Sequence, residues 1–237
     1  MADTLLHTAG HFKGRFLAEP EALREKLAGI RAYVFDWDGV FNDGKKDEGG
    51  SSPFSEVDAM GTNLLRFNHY LRTGTTPVTA IITGEHSAAA YALAQREHFH
   101  GVYYGVRYKA AALQHICKEH GLAPEEVAFV FDDVLDLSAA ALCGLRVMVY
   151  RDCNPLLLDF AAERGLADYI TSVSGGAHAV REASELLTGI SGLYRETIEQ
   201  RMHFADNYRG YLRQRDQQQT LFYTAEGPDT IIPKQPL

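Results

Sequence analysis

Two aspartates one residue apart follow a short apolar segment in the stretch AYVFDWDGVFNDGKK, residues 32–46. Residues i and i+2 of a strand face the same way, so Asp36 and Asp38 begin on one side of the chain. Two neighbouring carboxylates at the end of a buried strand repel each other and are costly to desolvate. A bound metal ion is the simplest group that would offset this cost.

Three more predicted strands also run into side chains that could do chemistry. Thr83 and Gly84 follow VTAII, and Lys109 opens a helix after GVYYG. The segment VAFVF is followed by three carboxylates, Asp132, Asp133 and Asp136. Ligands of an open parallel sheet bind outside the carboxyl ends of the strands, so these side chains are expected to converge. Hard oxygen ligands in such a cluster suit Mg²⁺, which keeps waters and a substrate phosphate.

The elements that must position these residues form a regular alternation of short apolar runs and amphipathic stretches. The predicted strands are residues 32–36, 77–83, 101–105, 127–133, 145–150 and 168–171. The predicted helices between and before them are residues 19–30, 60–72, 87–99 and 109–121. Continuously apolar strands indicate burial on both faces. The pattern therefore predicts an α/β protein with a Rossmann-like open parallel sheet flanked by helices.

Two segments fall outside this alternation. Residues 43–57 are rich in Gly, Ser and charge, which predicts an exposed β-hairpin flap. Residues 192–219 predict one long helix with a polar end, followed by an irregular tail with prolines. We therefore expect a main domain over residues 1–190 and a carboxy-terminal helix and tail over residues 191–237.

Bulk composition excludes several classes of function. The net charge of −8 argues against binding to nucleic acid through phosphate neutralisation. No run of about 18 apolar residues is present, so no membrane span is expected. The three cysteines have no metal-ligand spacing, and no secretion signal is recognised at the start of the chain. Reduced thiols and a cytoplasmic location are the expectation.

The order D-x-D-G-V, apolar-T-G, K, D-D-x-x-D resembles the four motifs of the haloacid dehalogenase superfamily of phosphatases, from residue 30 to residue 188. Within it the chain is similar to the capless 3-deoxy-D-manno-octulosonate 8-phosphate phosphatase group. The stretches that carry this similarity are FDWDGVFNDG, VDAMG, ITGEHS and ADYITSVSGGAHAVREASELL. The resemblance implies a fold without a cap domain. It also implies a homotetramer whose flaps and tails cover neighbouring sites.

The resemblance also implies roles for the carboxylates. Asp36 is the nucleophile that forms an aspartyl phosphate, and Asp38 protonates the leaving oxygen and then activates water. Asp132 binds Mg²⁺ together with the Asp36 carboxylate and the Asp38 backbone carbonyl. Asp133 and Asp136 ligate through water or orient the lysine.

The remaining motif residues are expected to bind the substrate. Lys109 and Thr83 hold phosphoryl oxygens in the transition state, and Gly84 and Asp58 line the substrate site. Structural alternatives stay open at this point. Lys109 could be a surface helix residue, Thr83 a helix cap, Asp136 a charge that stabilises a helix dipole, and Asp58 a cap of the next helix.

Several residues depart from the pattern of the group. Val57, Asn63 and Glu85 stand where the group carries arginines that bind a sugar carboxylate, and His178 replaces a glycine. A carboxylate in place of a guanidinium should repel an acidic substrate. Phe131 replaces a small residue, and is expected to narrow the pocket or disturb the metal loop.

Two functions follow from the sequence. The first is a Mg²⁺-dependent phosphatase that hydrolyses a small phosphorylated sugar or sugar acid through an aspartyl phosphate, with specificity altered from that of the group. The alternative is a non-catalytic homologue that serves as an assembly or binding protein, with the carboxy-terminal helix as its interface.

Overall fold

The computed structural model describes residues 2–48 and 50–236. Its strands are β1 (Arg15–Phe16), β2 (Ala32–Phe35), β3 (Val78–Ile82), β4 (Gly101–Tyr104), β5 (Val127–Phe131), β6 (Leu145–Met148), β7 (Tyr169–Ile170), β8 (Leu221–Gly227) and β9 (Thr230–Pro233). They form one sheet in the order β1-β7-β6-β5-β2-β3-β4-β8-β9. Neighbouring strands are parallel except at the edges, where β1 on β7 and β9 on β8 run antiparallel. The predicted fold class, a mostly parallel sheet flanked by helices, is confirmed.

Helices cover both faces of this sheet. They are α1 (Ala2–Ala9), α2 (Pro20–Gly29), α3 (Glu56–Thr73), α4 (Ala88–Arg96), α5 (Lys109–His120), α6 (Leu137–Ala140), α7 (Pro155–Glu163), α8 (Ala179–Ile190), α9 (Tyr194–Met202) and α10 (Asp206–Arg215). Tyr33 and Phe35 of β2 pack in one core with α2, α3, α4 and α8, whereas Ala32 and Val34 pack in a second core with α5, α6 and α7. Burial on both sides explains why β2 is continuously apolar. Among the described helices, none is long and apolar enough to cross a bilayer.

Local capping sets the ends of the helices that matter most for the site. The Ser55 hydroxyl accepts the N–H of Val57 at 3.1 Å, which begins α3 after the predicted flap. Gly121 ends α5 in the left-handed region, at φ +60°, where a residue without Cβ is not strained. The first residue of α5 is Lys109, so the helix start delivers this side chain to the carboxyl edge of the sheet.

The predicted β-hairpin flap over residues 43–57 is a loop instead. Residues 43–48 and 50–55, which we call the flap loop, contain no strand, and Gly49 lies outside the described residues. A tight turn is present, in which the Asp47 N–H donates to the Ser51 carbonyl and the Ser51 N–H donates to the Asp47 side chain, both at 2.8 Å. Gly, Ser and charged residues have low strand propensity, and a lone two-stranded hairpin is marginal in water.

The segment predicted as one helix over residues 192–219 forms α9 and α10, with a break at Phe204. Phe204 has φ +49°, a left-handed conformation that costs about 1–2 kcal/mol for a residue with a side chain. The break turns α10 so that Tyr208 and Tyr211 pack on Phe67 of α3, with ring centroids 5.0 and 5.5 Å apart. Burying two aromatic rings outweighs the backbone strain.

The tail predicted as irregular extends the sheet. β8 pairs in parallel with β4, and places Phe222 opposite Val102. Phe222 is buried and its ring meets that of Tyr91 edge-on at 5.5 Å. Pro233 lies on the outermost strand, where its missing N–H costs no inner ladder bond. The chain after residue 190 therefore adds two strands to the sheet.

Two neighbouring positions of β8 test this docking. Phe222→Ala should lower the free energy of unfolding by about 3–5 kcal/mol, because it removes a buried aromatic ring. Leu221 is 49% exposed, so Leu221→Ala should change the free energy of unfolding by about 0.5 kcal/mol or less. Urea unfolding followed by circular dichroism measures both changes. Small effects at both positions would show that β8 does not dock on β4.

Candidate active site

Two strand ends, one turn and one helix start bring four charged side chains together at the carboxyl edge of the sheet. Asp36 follows β2, Asp132 follows β5, and Asp136 lies in the short turn before α6. One carboxylate oxygen of each lies within 4.8 Å of those of the other two. Lys109 Nζ donates hydrogen bonds to the carboxylates of Asp36 and Asp136. We call these four residues the carboxylate–lysine cluster.

The cluster is buried, and its charges are out of balance. Each of its four residues is at most 5% exposed. Burial, reinforced by the neighbouring carboxylates, raises the pKa of Asp36 to about 7 and the pKa of Asp132 to about 9. Burial alone would lower the pKa of Lys109, but Asp36 and Asp136 together hold it above its usual value. The cluster therefore keeps a charged lysine and lacks the positive charge needed to ionise all its carboxyl groups.

The donor atoms of the cluster fit a hard divalent cation. Asp132 Oδ2 contacts Arg151 Nε at 2.6 Å, whereas Asp132 Oδ1 is buried without a hydrogen-bond partner in the described part of the chain. A buried acceptor left without a partner is costly, and native structures keep few of them. Mg²⁺ takes one or two carboxylates of this kind, together with waters and substrate oxygens. Asp36 and Asp132 are the side chains placed to hold such an ion.

Asp136 and Asp133, which the sequence treated alike, have different surroundings. Asp136 Oδ2 accepts the N–H groups of Asp132 and Asp133 at 3.3 and 3.0 Å, so this carboxylate orients both Lys109 and the loop. The Asp133 side chain is exposed and accepts the N–H of Val134 at 2.6 Å. The backbone at Asp133 is extended, and consecutive side chains of an extended chain point in opposite directions. Among the described residues, Asp133 therefore lies outside the group of carboxylates that meet in the carboxylate–lysine cluster.

Asp38 lies between the cluster and the flap loop. Its two carboxylate oxygens contact Lys46 Nζ at 2.5 Å and the Ser52 hydroxyl at 2.8 Å. Trp37, between the two motif aspartates, is fully buried and stacks on Phe41 with centroids 5.0 Å apart. Lys46 and Ser52 were missed from the sequence. Their only signal was the position of the flap directly after the paired aspartates.

Thr83 and Gly84 lie at the carboxyl end of β3, on the same edge of the sheet as the cluster. Thr83 is fully buried, and its hydroxyl accepts the N–H of Glu85 at 3.3 Å. The cap of α4 is Ser87, whose side chain accepts the N–H of Ala90. The structural alternative in which Thr83 caps a helix is therefore wrong.

Asp58, predicted to line the substrate site, contacts the start of α8. It lies in the first turn of α3 and is fully buried. Its carboxylate accepts the N–H of Arg181 at 2.9 Å and lies 3.4 Å from Nδ1 of His178, at the start of α8. Burial raises its pKa, and the Arg181 N–H opposes this effect. The free N–H groups of a helix start attract such a carboxylate, so this contact joins the first turns of α3 and α8.

The positions that depart from the family pattern divide into exposed and buried ones. Glu85 and Val57 are exposed, whereas Asn63 is buried and hydrogen-bonded to a neighbouring side chain. Phe131 is fully buried and stacks on Phe129 with centroids 5.4 Å apart. Its ring faces the core formed with α5, α6 and α7, so the expectation that it narrows the pocket is wrong.

Sequence comparison finds relatives called 3-deoxy-D-manno-octulosonate 8-phosphate phosphatase. The relative from Escherichia coli K12 is 32% identical over 164 residues, which are 68% of this chain and 81% of that protein. The relative from Yersinia pestis is 32% identical over 167 residues, which are 69% of this chain and 82% of that protein. No family model matches the chain.

A solved structure shares the fold. It is 3-deoxy-D-manno-octulosonate 8-phosphate phosphatase from Moraxella catarrhalis, determined in complex with magnesium ion, phosphate ion and a KDO molecule. It is 27% identical to this chain, with a TM-score of 0.62, and the match covers 75% of this chain and 96% of that one.

The charge imbalance of the cluster predicts how stability depends on pH. Between about pH 7 and 9 the metal-free folded protein keeps a proton on Asp132, and near pH 7 part of the proton on Asp36, that the unfolded chain has released. The free energy of unfolding should therefore fall with rising pH, by up to about 1.4 kcal/mol per pH unit for each retained proton. Burial lowers the pKa of His69 and His100 from 6.5 to about 3, so the effect of these two groups on stability falls mainly between these values, below this window.

Urea unfolding in the presence of a chelator measures this slope. Asp132→Asn removes the group that keeps its proton to about pH 9 and should flatten the dependence of the unfolding free energy on pH. Asp159→Asn makes the same change at an exposed position of α7 and should leave that dependence unchanged. A free energy of unfolding that rises from pH 7 to 9 in the wild-type protein would contradict the assignment.

Proposed function

Because the chain belongs to the 3-deoxy-D-manno-octulosonate 8-phosphate phosphatase family of the haloacid dehalogenase superfamily, we propose that it hydrolyses the phosphate ester of a small sugar or sugar acid. The observation that carries the proposal is the buried contact of Lys109 with Asp36 and Asp136, beside the unpartnered oxygen of Asp132. This arrangement supplies a carboxylate nucleophile, a fixed cation and metal ligands at one point, as phosphoryl transfer requires.

In the proposed mechanism, Asp36 is the nucleophile. One of its carboxylate oxygens attacks phosphorus, the bond from phosphorus to the sugar oxygen breaks, and an aspartyl phosphate forms. Asp38 gives its proton to the departing sugar oxygen. The Asp38 carboxylate then takes a proton from water, whose oxygen attacks phosphorus, releasing phosphate and restoring Asp36. Lys46 and Ser52 orient Asp38 for both proton transfers.

Mg²⁺ is the proposed cofactor, held by the carboxylates of Asp36 and Asp132 and by the backbone carbonyl of Asp38. When bound, it supplies positive charge to the phosphoryl oxygens and favours the ionised carboxylates of its ligands. Support comes from the unpartnered Oδ1 of Asp132 and from the Moraxella catarrhalis structure, which contains magnesium.

Lys109 and Thr83 are the proposed partners of the phosphoryl oxygens. The ammonium of Lys109 is fixed by Asp136 at the start of α5, so it stabilises developing charge without having to reorganise. Thr83 and Gly84 would supply a hydroxyl and a backbone N–H from the end of β3.

The proposed substrate is a sugar phosphate that is neutral or cationic near Glu85. Glu85 is exposed two residues beyond Thr83, at the edge where the sugar must project. A carboxylate at this position repels an acidic sugar, and a positively charged or hydroxylated one would avoid this cost. Val57 and Asn63 likewise offer no positive charge to a sugar carboxylate.

A homotetramer in the cytoplasm is the proposed context. The described residues between Asp38 and Thr83 form a loop, a helix and a strand, and those between Thr83 and Lys109 form a helix and a strand, so neither segment contains a cap domain. The flap loop of a neighbouring subunit would then exclude water from the site. Three cysteines without disulfides fit a reducing compartment, and these are Cys117, Cys143 and Cys153.

Hydrolysis of an aryl phosphate in the presence of Mg²⁺ tests the proposed chemistry. Asp36→Asn should lower kcat by about 10⁴-fold or more, because it removes the nucleophile. Asp159→Asn, which makes the same change at an exposed position of α7, should keep wild-type turnover. A wild-type protein that turns over neither the aryl ester nor a panel of sugar phosphates, yet forms an oligomer lost on deletion of residues 192–237, would favour the non-catalytic assembly protein.

A charge reversal tests the proposed specificity. Glu85→Arg should raise kcat/KM for an acidic sugar phosphate by about 10-fold relative to a neutral one, because an ion pair replaces a repulsion. Glu163→Arg makes the same charge change at the end of α7, remote from the carboxyl edge of the sheet, and should leave the ratio unchanged. Equal ratios in both variants and in the wild-type protein would remove Glu85 from the specificity argument.

A further inference from the structure

Arg151 lies beside the carboxylate–lysine cluster, and neither the four motifs nor the proposed mechanism uses it. It follows β6 at the carboxyl edge of the sheet. Arg151 Nε lies 2.6 Å from Asp132 Oδ2, and the two side chains are 26% and 2% exposed. A guanidinium is permanently charged, so this contact is a partly buried ion pair with a proposed metal ligand.

Two glycines make room for this side chain. A Cβ added to Gly39 would lie 1.9 Å from Arg151 Nη2 and 2.1 Å from Asp132 Oδ2, closer than any side chain allows. At Gly44 the added Cβ would lie 3.3 Å from the same Nη2. Both glycines have positive φ, +86° and +80°, in the loop that carries Asp38. The guanidinium is therefore packed between this loop and Asp132, so two other segments of the chain set its position.

The ion pair gives the two carboxylate oxygens of Asp132 different surroundings. Oδ2 is occupied by Arg151, while Oδ1 is buried and has no hydrogen-bond partner in the described chain. Fixing Oδ2 also fixes the plane of the carboxylate, so Oδ1 can turn away from the cluster only if the ion pair breaks. Partners of this kind hold a ligand in its binding orientation before the metal arrives.

The charges nearby are consistent with a guanidinium that stays in place when a cation binds. Asp36, Asp132 and Asp136 face two cationic side chains, Lys109 and Arg151. One negative charge is left over when all three carboxylates are ionised. A divalent cation would then leave the cluster with a single net positive charge, which favours an incoming phosphate dianion.

We propose that Arg151 is a positioning residue for the divalent cation: it holds Asp132 by Oδ2 so that Oδ1 is free to coordinate the metal. This inference rests on the proposed function. The opposite arrangement, in which Arg151 merely fills the site until a metal displaces it, predicts the opposite effect of removing the guanidinium.

Titration calorimetry with MgCl₂ alone distinguishes the two arrangements. Arg151→Met should weaken the Kd for Mg²⁺ by about 10- to 100-fold, and Arg151→Lys, which keeps the charge but loses the planar fork, should weaken it by less. Arg164→Met removes the same charge from an exposed position at the end of α7 and should bind Mg²⁺ like the wild-type protein. Saturating Mg²⁺ should restore most of the turnover of Arg151→Met, because the reacting groups are untouched.

Each other outcome overturns the inference. An unchanged Kd in Arg151→Met shows that Asp132 needs no positioning, and a tighter Kd shows that the guanidinium competes with the metal. If Arg151→Met does not give a cooperative thermal transition, Arg151→Lys decides on the same criterion. A wild-type protein that binds no Mg²⁺ overturns the proposed cofactor first, which separates that failure from the failure of the role of Arg151.

Discussion

Three carboxylates held within 4.8 Å of one another in a buried site are the constraint on which the rest of this structure depends. Each would be stable in water, and their burial together is unfavourable unless positive charge is brought to the same point. Lys109 meets part of this requirement from the start of α5, and Arg151 contacts Asp132 from the end of β6. The raised pKa values of Asp36 and Asp132 show that the two side chains do not meet it fully. In a phosphatase, this shortage of positive charge favours the binding of a cation, which in turn attracts a phosphate.

The parallel sheet makes such a site possible. Because β2, β3 and β5 run in the same direction, their carboxyl ends share one edge, and residues far apart in the chain meet there. Helices on both faces bury the strands and keep water out of the layers beneath the cluster. The flap loop adds Lys46 and Ser52 from the remaining open side, so the two motif aspartates have different surroundings and can do different chemistry.

The carboxy-terminal segment adds β8 and β9 to the sheet beside β4. β8 and β9 cover the edge of β4, which would otherwise present unpaired backbone groups to solvent. α10 packs its tyrosines on α3, the same helix whose first turn supplies Asp58 to cap α8. Helix α3 therefore packs against α10 and contacts the start of α8, although neither contact involves the cluster. Strain at Phe204 is the local cost of this packing.

Local patterns in the sequence determined strands β2 to β7, helices α2 to α5 and the convergence of Asp36, Asp132, Asp136 and Lys109, because strand ends and helix starts are readable from apolar runs and spacing. Those patterns could not separate Asp133 from Asp136, since only the extended backbone at Asp133 turns its side chain to solvent. Contacts between distant segments were equally invisible: Arg151 with Asp132, Asp58 with the start of α8, and β8 with β4. Such contacts depend on which surfaces meet after the sheet has formed, and no local period records that, so only the tertiary structure decided them.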